Sequence, residues 1–215
     1  MIEKQFYRVD GTAVQLHDTE DKSWWLTYGD DNEKAFLSFC STNNILPGLS
    51  LNPERSGGKR RGAPEFIFNG KYLDLKVQHQ PFFEAEKLYK IPPRYAITLN
   101  WRDVKDVREK YPDCQVAYWV NWTSVRYIKL NRTETKPTVT VADISINPLH
   151  GVWYMTPQLM FGLEEDAIKK GNLHWYMRRF ADTRGNAKSS YVIDIRDLQL
   201  VWLDPSCSKI EKRPD

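Results

Sequence analysis

Hydrophobic and polar positions recur along this chain with two different periods. Over residues 30–43, Phe36, Leu37 and Cys40 follow Glu33 by three, four and seven positions, so they share one helical face with its carboxylate. Asp30 precedes Glu33 by three positions, the spacing of a capping box, and Pro47 and Gly48 lie beyond the apolar run; a helix is expected between those signals. Ahead of it, residues 12–16 and 23–27 carry β-branched or aromatic side chains between polar breaks and predict an N-terminal hairpin. Residues 64–68 and 72–78 are β-rich runs joined through Asn69-Gly70. That dipeptide suits a type I′ turn, in which both central residues take positive φ, so a second hairpin is expected. Residues 94–100 read as a strand, 101–110 as an amphipathic helix stopped by Pro112, and 114–122 as a further strand. The predicted order is helix, three strands, helix, strand. Past residue 123, residues 125–130 and 138–144 look extended, 157–170 and 173–181 look helical, and 191–203 read as one long strand or two short ones.

Composition bounds the class. With 215 residues, of which 41% are hydrophobic and 13% aromatic, the chain can bury a continuous core and is not of disordered type. A single domain is expected, with its core at about residues 30–122, a C-terminal elaboration at about 123–208 and a charged tail at 209–215. The opening residues hold no apolar stretch of signal-peptide type and no later run reaches membrane-spanning length, so a soluble, cytoplasmic protein with no membrane partner is expected. Cys40, Cys114 and Cys207 are widely spaced and odd in number, which suggests neither a disulfide framework nor a zinc site. A net charge of +3 is too small to name a polyanionic partner. Local clustering says more: Arg55, Lys59, Arg60 and Arg61 fall within seven positions, beside Gly57, Gly58 and Gly62. This is either a cationic loop that grips a nucleic-acid backbone or a solvated loop.

The second hairpin carries the chemistry. With Asn69-Gly70 at its tip, Glu65 and Asp74 come from nearly opposite positions on paired strands. Period-two alternation puts Asp74 and Lys76 on one face and Leu73 and Leu75 on the other. Phosphodiester hydrolysis needs negative charge stabilised as it accumulates on the phosphate, which divalent ions on carboxylates accomplish. Two carboxylates and a backbone carbonyl suffice for Mg2+, which keeps several of its waters. Lys76 is placed to orient or help deprotonate a water and to offset phosphate charge. Gln78 shares that face, within reach of phosphate or a metal-bound water, although ordinary sheet polarity explains it equally. Glu33 is either the N3 half of a capping box or a further acidic group of the site.

Pro64-Glu65 followed by Asp74-Leu75-Lys76 resembles the PD-(D/E)XK nuclease superfamily, whose pattern is Pro-(Asp/Glu), a variable spacer, then (Asp/Glu)-x-Lys on the neighbouring strand. The resemblance covers about residues 30–122. It implies a restriction-endonuclease-like α/β (α+β) fold with a central mixed sheet flanked by helices. It also implies that Glu65, Asp74 and the Leu75 carbonyl bind Mg2+, with Mn2+ as a substitute, that Lys76 serves the water, and that Glu33 completes the site. The chain departs from the commoner pattern in having Glu first and Asp second, both still oxygen ligands. The expected activity is a metal-dependent endonuclease acting on DNA without an organic cofactor, of a kind in which homodimers often cut both strands. The alternatives are an exonuclease, a junction resolvase, an RNA-directed nuclease, or a nucleic-acid-binding module of the same fold without turnover.

The remaining polar and aromatic residues read as structural. His79 points to the face opposite Lys76, and His17, His150 and His174 have no partners at metal-ligand spacing. Trp119, Trp122, Trp153, Tyr154, Trp175 and Tyr176 are expected mostly in the core, with one or two stacking on unpaired bases as the alternative. Lys169, Lys170, Arg178 and Arg179 are expected on solvated helix faces, with DNA phosphates as the alternative partner.

Overall fold

The computed structural model describes residues 2–15, 22–55, 62–132, 137–175 and 189–212. In chain order its elements are β1 (Ile2–Tyr7), α1 (Lys22–Thr42), β2 (Ser50–Leu51), a 3-10 turn (Pro53–Arg55), β3 (Phe66–Phe68), β4 (Lys71–Gln78), α2 (Ala85–Tyr89), β5 (Ala96–Asn100), α3 (Trp101–Lys110) and β6 (Gln115–Asn121). They continue with β7 (Arg126–Asn131), β8 (Val139–Ser145), β9 (His150–Met155), α4 (Pro157–Lys170), β10 (Leu173–Trp175), β11 (Ser189–Asp194), a second 3-10 turn (Ile195–Asp197) and β12 (Gln199–Leu203).

The fold is mixed α+β. Its main sheet has six strands in the order β12-β9-β6-β4-β3-β2; β4 and β6 run parallel and the other neighbours antiparallel. The parallel pair lies at the centre, covered on both faces, which is why β6 is an almost unbroken apolar run rather than an alternating one. On one face α1 contributes Phe36 and Cys40 to a cluster with Phe66, Leu73, Ala117 and Val152. On the other, Val104 and Val107 of α3 and Met160 and Leu163 of α4 pack with Val116, Tyr118, Val120 and Trp153. Two three-stranded antiparallel sheets, β1-β7-β8 and β10-β11-β5, complete the described structure. No helix among the described residues is long and apolar enough to cross a membrane.

The structure corrects several sequence expectations. Residues 23–27 lie in α1 rather than a hairpin, and α1 begins at Lys22, so Asp30 stands inside the helix and does not cap it. Aromatic and β-branched residues favour strands only where a sheet neighbour is offered; here burial of Phe36 and Cys40 on later turns of the same helix sustains a helical start. Of residues 12–15, only Ala13 makes a bridge, to Tyr7, while β1 pairs with β7. Leu173–Trp175 is a strand, not the start of a helix, because Gly171, at φ 70°, ends α4 and Leu173 then pairs with Tyr191; residues 176–181 lie outside the described residues. The run at 191–203 forms two strands broken at Ile195–Asp197. The strand expected at 94–100 forms at Ala96–Asn100 but joins β11, and the strand beside β3 in the main sheet is the two-residue β2. The helices expected at 101–110 and 157–170 form over those bounds.

Candidate active site

Asn69 and Gly70 take φ 51° and 73°, the pair of positive values the turn reading requires. They set the register Phe68↔Lys71, Ile67↔Tyr72 and Phe66↔Leu73, which brings Glu65, one residue before β3, level with Asp74. Buried Asn52 fixes the approach to that position: its backbone N–H donates to the Glu65 carbonyl and its side-chain amide to the Pro64 carbonyl, both at 2.9 Å. Gly70→Ala forces a side chain into the left-handed region and is expected to lower stability by about 1–2 kcal/mol, read as a lower urea midpoint with an unchanged slope.

The two carboxylates meet across the hairpin. Glu65 Oε2 accepts from the Leu75 N–H at 2.9 Å, and Asp74 stands opposite Glu65 across the hairpin, near enough for each carboxyl to bear on the other's charge. In an extended strand the N–H and C=O of one residue project to the same edge, so the Leu75 carbonyl faces the edge where Glu65 sits. Leu73 is fully buried on the α1 face and Leu75 packs with that cluster. Asp74 and Lys76 point the other way, toward α3, and Lys76 Nζ lies 2.7 Å from Asp74 Oδ2 and 2.7 Å from Asp103 Oδ2.

Asp103, in the first turn of α3, was not singled out by sequence reasoning. A carboxylate there is ordinarily explained by the positive end of the helix dipole, and no spacing signal connects it to a strand far away in the sequence. From its place among clustered cations, Arg55 is expected in a loop that either grips a nucleic-acid backbone or is solvated. In the structure its guanidinium lies 2.5 Å from Glu65 Oε1 and 2.8 Å from Glu33 Oε1. Glu33 is thus linked to Glu65 through Arg55. Lys59, Arg60 and Arg61 lie outside the described residues.

Electrostatics follow from this packing. Burial, with the Glu65 carboxylate alongside, pushes the Asp74 carboxyl up to about 7 against the opposing pull of Lys76. Burial disfavours the charge on Lys76, but Asp103, Asp74 and Glu65 outweigh it and raise the ammonium well above its ordinary value. An amine held this firmly charged has no lone pair for a proton, so its contribution is charge and orientation rather than general-base chemistry. Burial likewise raises the Glu33 carboxyl, with Arg55 opposing.

Gln78 lies on the Asp74 face, but its amide is engaged with β5: Nε2 donates to the Thr98 carbonyl at 2.9 Å and Oε1 accepts from the Thr98 N–H at 3.4 Å. It links the main sheet to the β10-β11-β5 sheet. His79 contacts the Asn121 carbonyl, His150 bridges Asp204 and Trp119, and His174 meets Tyr89; His17 lies outside the described residues. Trp122 and Trp153 are core residues and Trp119 and Tyr154 are half-buried, whereas Trp175 is exposed. Tyr176, Arg178 and Arg179 lie outside the described residues, and Lys169 and Lys170 are exposed on α4.

The donor set fits a hard divalent cation in kind. Glu65, Asp74 and the Leu75 carbonyl offer oxygen only, and burial keeps the nearby Cys114 thiol protonated. Among the described residues no group of three or more Asp, Glu, His or Cys side chains is arranged to hold a metal ion, so the carbonyl and water would have to supply the remaining ligands. Compared with family models, with curated proteins and with solved structures, the chain finds no match in any of the three.

Proposed function

We propose that this chain is a Mg2+-dependent nuclease that hydrolyses DNA phosphodiester bonds as an endonuclease, with a cytoplasmic location and the residues after Arg55 as its backbone-gripping segment. The observation that carries the reading is the meeting of Glu65 and Asp74 across one hairpin, with the Lys76 ammonium 2.7 Å from Asp74. The order α1, β2, β3, β4, α3, β6 of the main sheet and its helices, with α2 and β5 intervening between β4 and α3 and with β4 and β6 parallel, supports the resemblance to PD-(D/E)XK nucleases. Glu65, Asp74 and the Leu75 carbonyl would hold the ion, which supplies Lewis-acid stabilisation of phosphate charge. Lys76, kept charged by Asp103 and Asp74, orients a water by donating to its oxygen and offsets charge on the phosphate. Asp103 is a positioning residue that acts through Lys76. Gln78, engaged by Thr98, has no role in this reading beyond holding β4 against β5.

A second reading has a specific observation behind it. Both oxygens of Glu65 already have donors, from Arg55 and from the Leu75 N–H, an arrangement that also suits a nucleic-acid-binding module without turnover. The two are separated by supercoiled plasmid incubated with purified protein in Mg2+, in Mn2+ and in chelator, with single-stranded RNA in parallel. The enzyme reading expects nicking in either ion and none in chelator. DNA retention without nicking in any ion establishes the module reading, and cleavage confined to RNA moves the substrate class.

A further inference from the structure

Arg55 stands where a cation is wanted. Its guanidinium joins Glu33 Oε1 at 2.8 Å and Glu65 Oε1 at 2.5 Å, and a third contact, to the Ala63 carbonyl at 3.4 Å, holds it on the strand side. The Arg55 side chain is 26% exposed and each of the two carboxylates 17%, so the pairing is little screened by solvent. The other Glu65 oxygen accepts from Leu75 N–H, and Asp74 Oδ2 is held by Lys76. Two carboxylates brought near each other across a hairpin repel unless a positive charge sits beside them, and here the chain's own side chains supply it.

Resting on the nuclease reading of this site, we infer that Arg55 is an internal counter-cation that competes with the divalent ion for Glu65, so that ion loading requires its guanidinium to leave that carboxylate. A phosphodiester is the other good partner for a guanidinium, through paired N–H···O bonds. Nucleic acid bound beside the site therefore draws Arg55 off Glu65 and tightens the ion, and by reciprocity the ion tightens nucleic acid. Arg55 thus sets the ion affinity of the apo site and couples it to phosphate, a different task from simply gripping the backbone.

The test reads ion binding rather than cleavage. Mn2+ alone is titrated into wild type, Arg55→Gln and Arg55→Gln/Asp74→Asn by calorimetry. The expected result is a gain of about tenfold or more in affinity for Arg55→Gln, within the usual range for coupled sites, and its loss in the double variant. Equal or weaker binding by Arg55→Gln, with wild type still binding, overturns the competition and leaves the nuclease reading standing. No binding by any folded variant, with or without an oligonucleotide, sinks both. Should Arg55→Gln fail to fold, wild type suffices: the Arg55 Nε–H signal in a 15N spectrum is expected to shift as Mn2+-free protein is titrated with Mg2+. A signal that stays fixed while Mg2+ binds overturns the inference.

Discussion

Asp74→Asn is expected to abolish ion-dependent nicking and, in chelator at pH 8, to make the chain more stable than wild type rather than less. The Asp74 carboxyl titrates at about 7 in the folded chain, against 3.8 for its ordinary value, because it is buried and faces Glu65. The folded state therefore binds this proton more tightly than the unfolded state does. Stability from the protonated carboxyl is fully present below pH 3.8 and is lost as pH rises to about 7, with no further loss above. At about 1.4 kcal/mol per pKa unit the ceiling is roughly 4 kcal/mol, and partial exposure and local relaxation reduce the expected gain to about 1–2 kcal/mol. Asparagine keeps the shape, accepts from Lys76 through its carbonyl and turns its amide toward Glu65, so it imitates the protonated form at every pH. In thermal unfolding, Asp74→Asn should exceed wild type by about 3–6 °C at pH 8, with the gap clearly narrower at pH 5 and closing only below the ordinary value of 3.8. A gap equal at both pH values, or a variant less stable at pH 8, would falsify the burial argument. Nicking that survives the substitution would remove Asp74 from the ion site.

Lys76→Ala should act in the opposite direction on stability. It leaves Asp74 and Asp103, 19% and 23% exposed, without the ammonium that lies 2.7 Å from each. Breaking a fully buried pair costs about 3–5 kcal/mol; with this residual exposure about 2–3 kcal/mol is expected. If the nuclease reading holds, cleavage also falls by about 10²–10³, the usual consequence of removing one stabilising donor. Because the loss comes from stranded carboxylates, neutralising one of them should restore part of it. The double variant Lys76→Ala/Asp103→Asn is expected to be more stable than the sum of the single effects by about 1–2 kcal/mol. Urea denaturation of the four proteins measures this. Simple additivity would show that Asp103 and Lys76 act independently and would end Asp103's role as a positioning residue.

How legible these features were in the sequence depended on how local their causes are. Asn69-Gly70 announced its turn because the positive φ of both residues is a property of those residues themselves, and the turn then aligned Glu65 with Asp74. Alternation along β4 separated Leu73 and Leu75 from Asp74 and Lys76 for the same reason: side chains of a strand project to opposite faces whatever surrounds them. The bounds of α3 were readable from helical spacing and from Pro112, and the helical look of residues 157–170 gave those of α4.

Tertiary structure alone decided the rest. Residues 23–27 look like a strand until the later turns of α1 bury Phe36 and Cys40. The two residues of β2 carry too little pattern to be seen, and β5, which has a strand's pattern, says nothing about which sheet it joins. In the site, the chain by itself named Glu65, Asp74 and Lys76, with Glu33 and Gln78 beside them; that Gln78 is taken up by Thr98 instead was not readable from alternation alone. That Asp103 shares this lysine, and that Arg55 turns back onto Glu33 and Glu65, follows from elements brought together in space. A charge declares its own sign in the sequence, but the partner that compensates it is chosen by proximity, which only the folded chain creates.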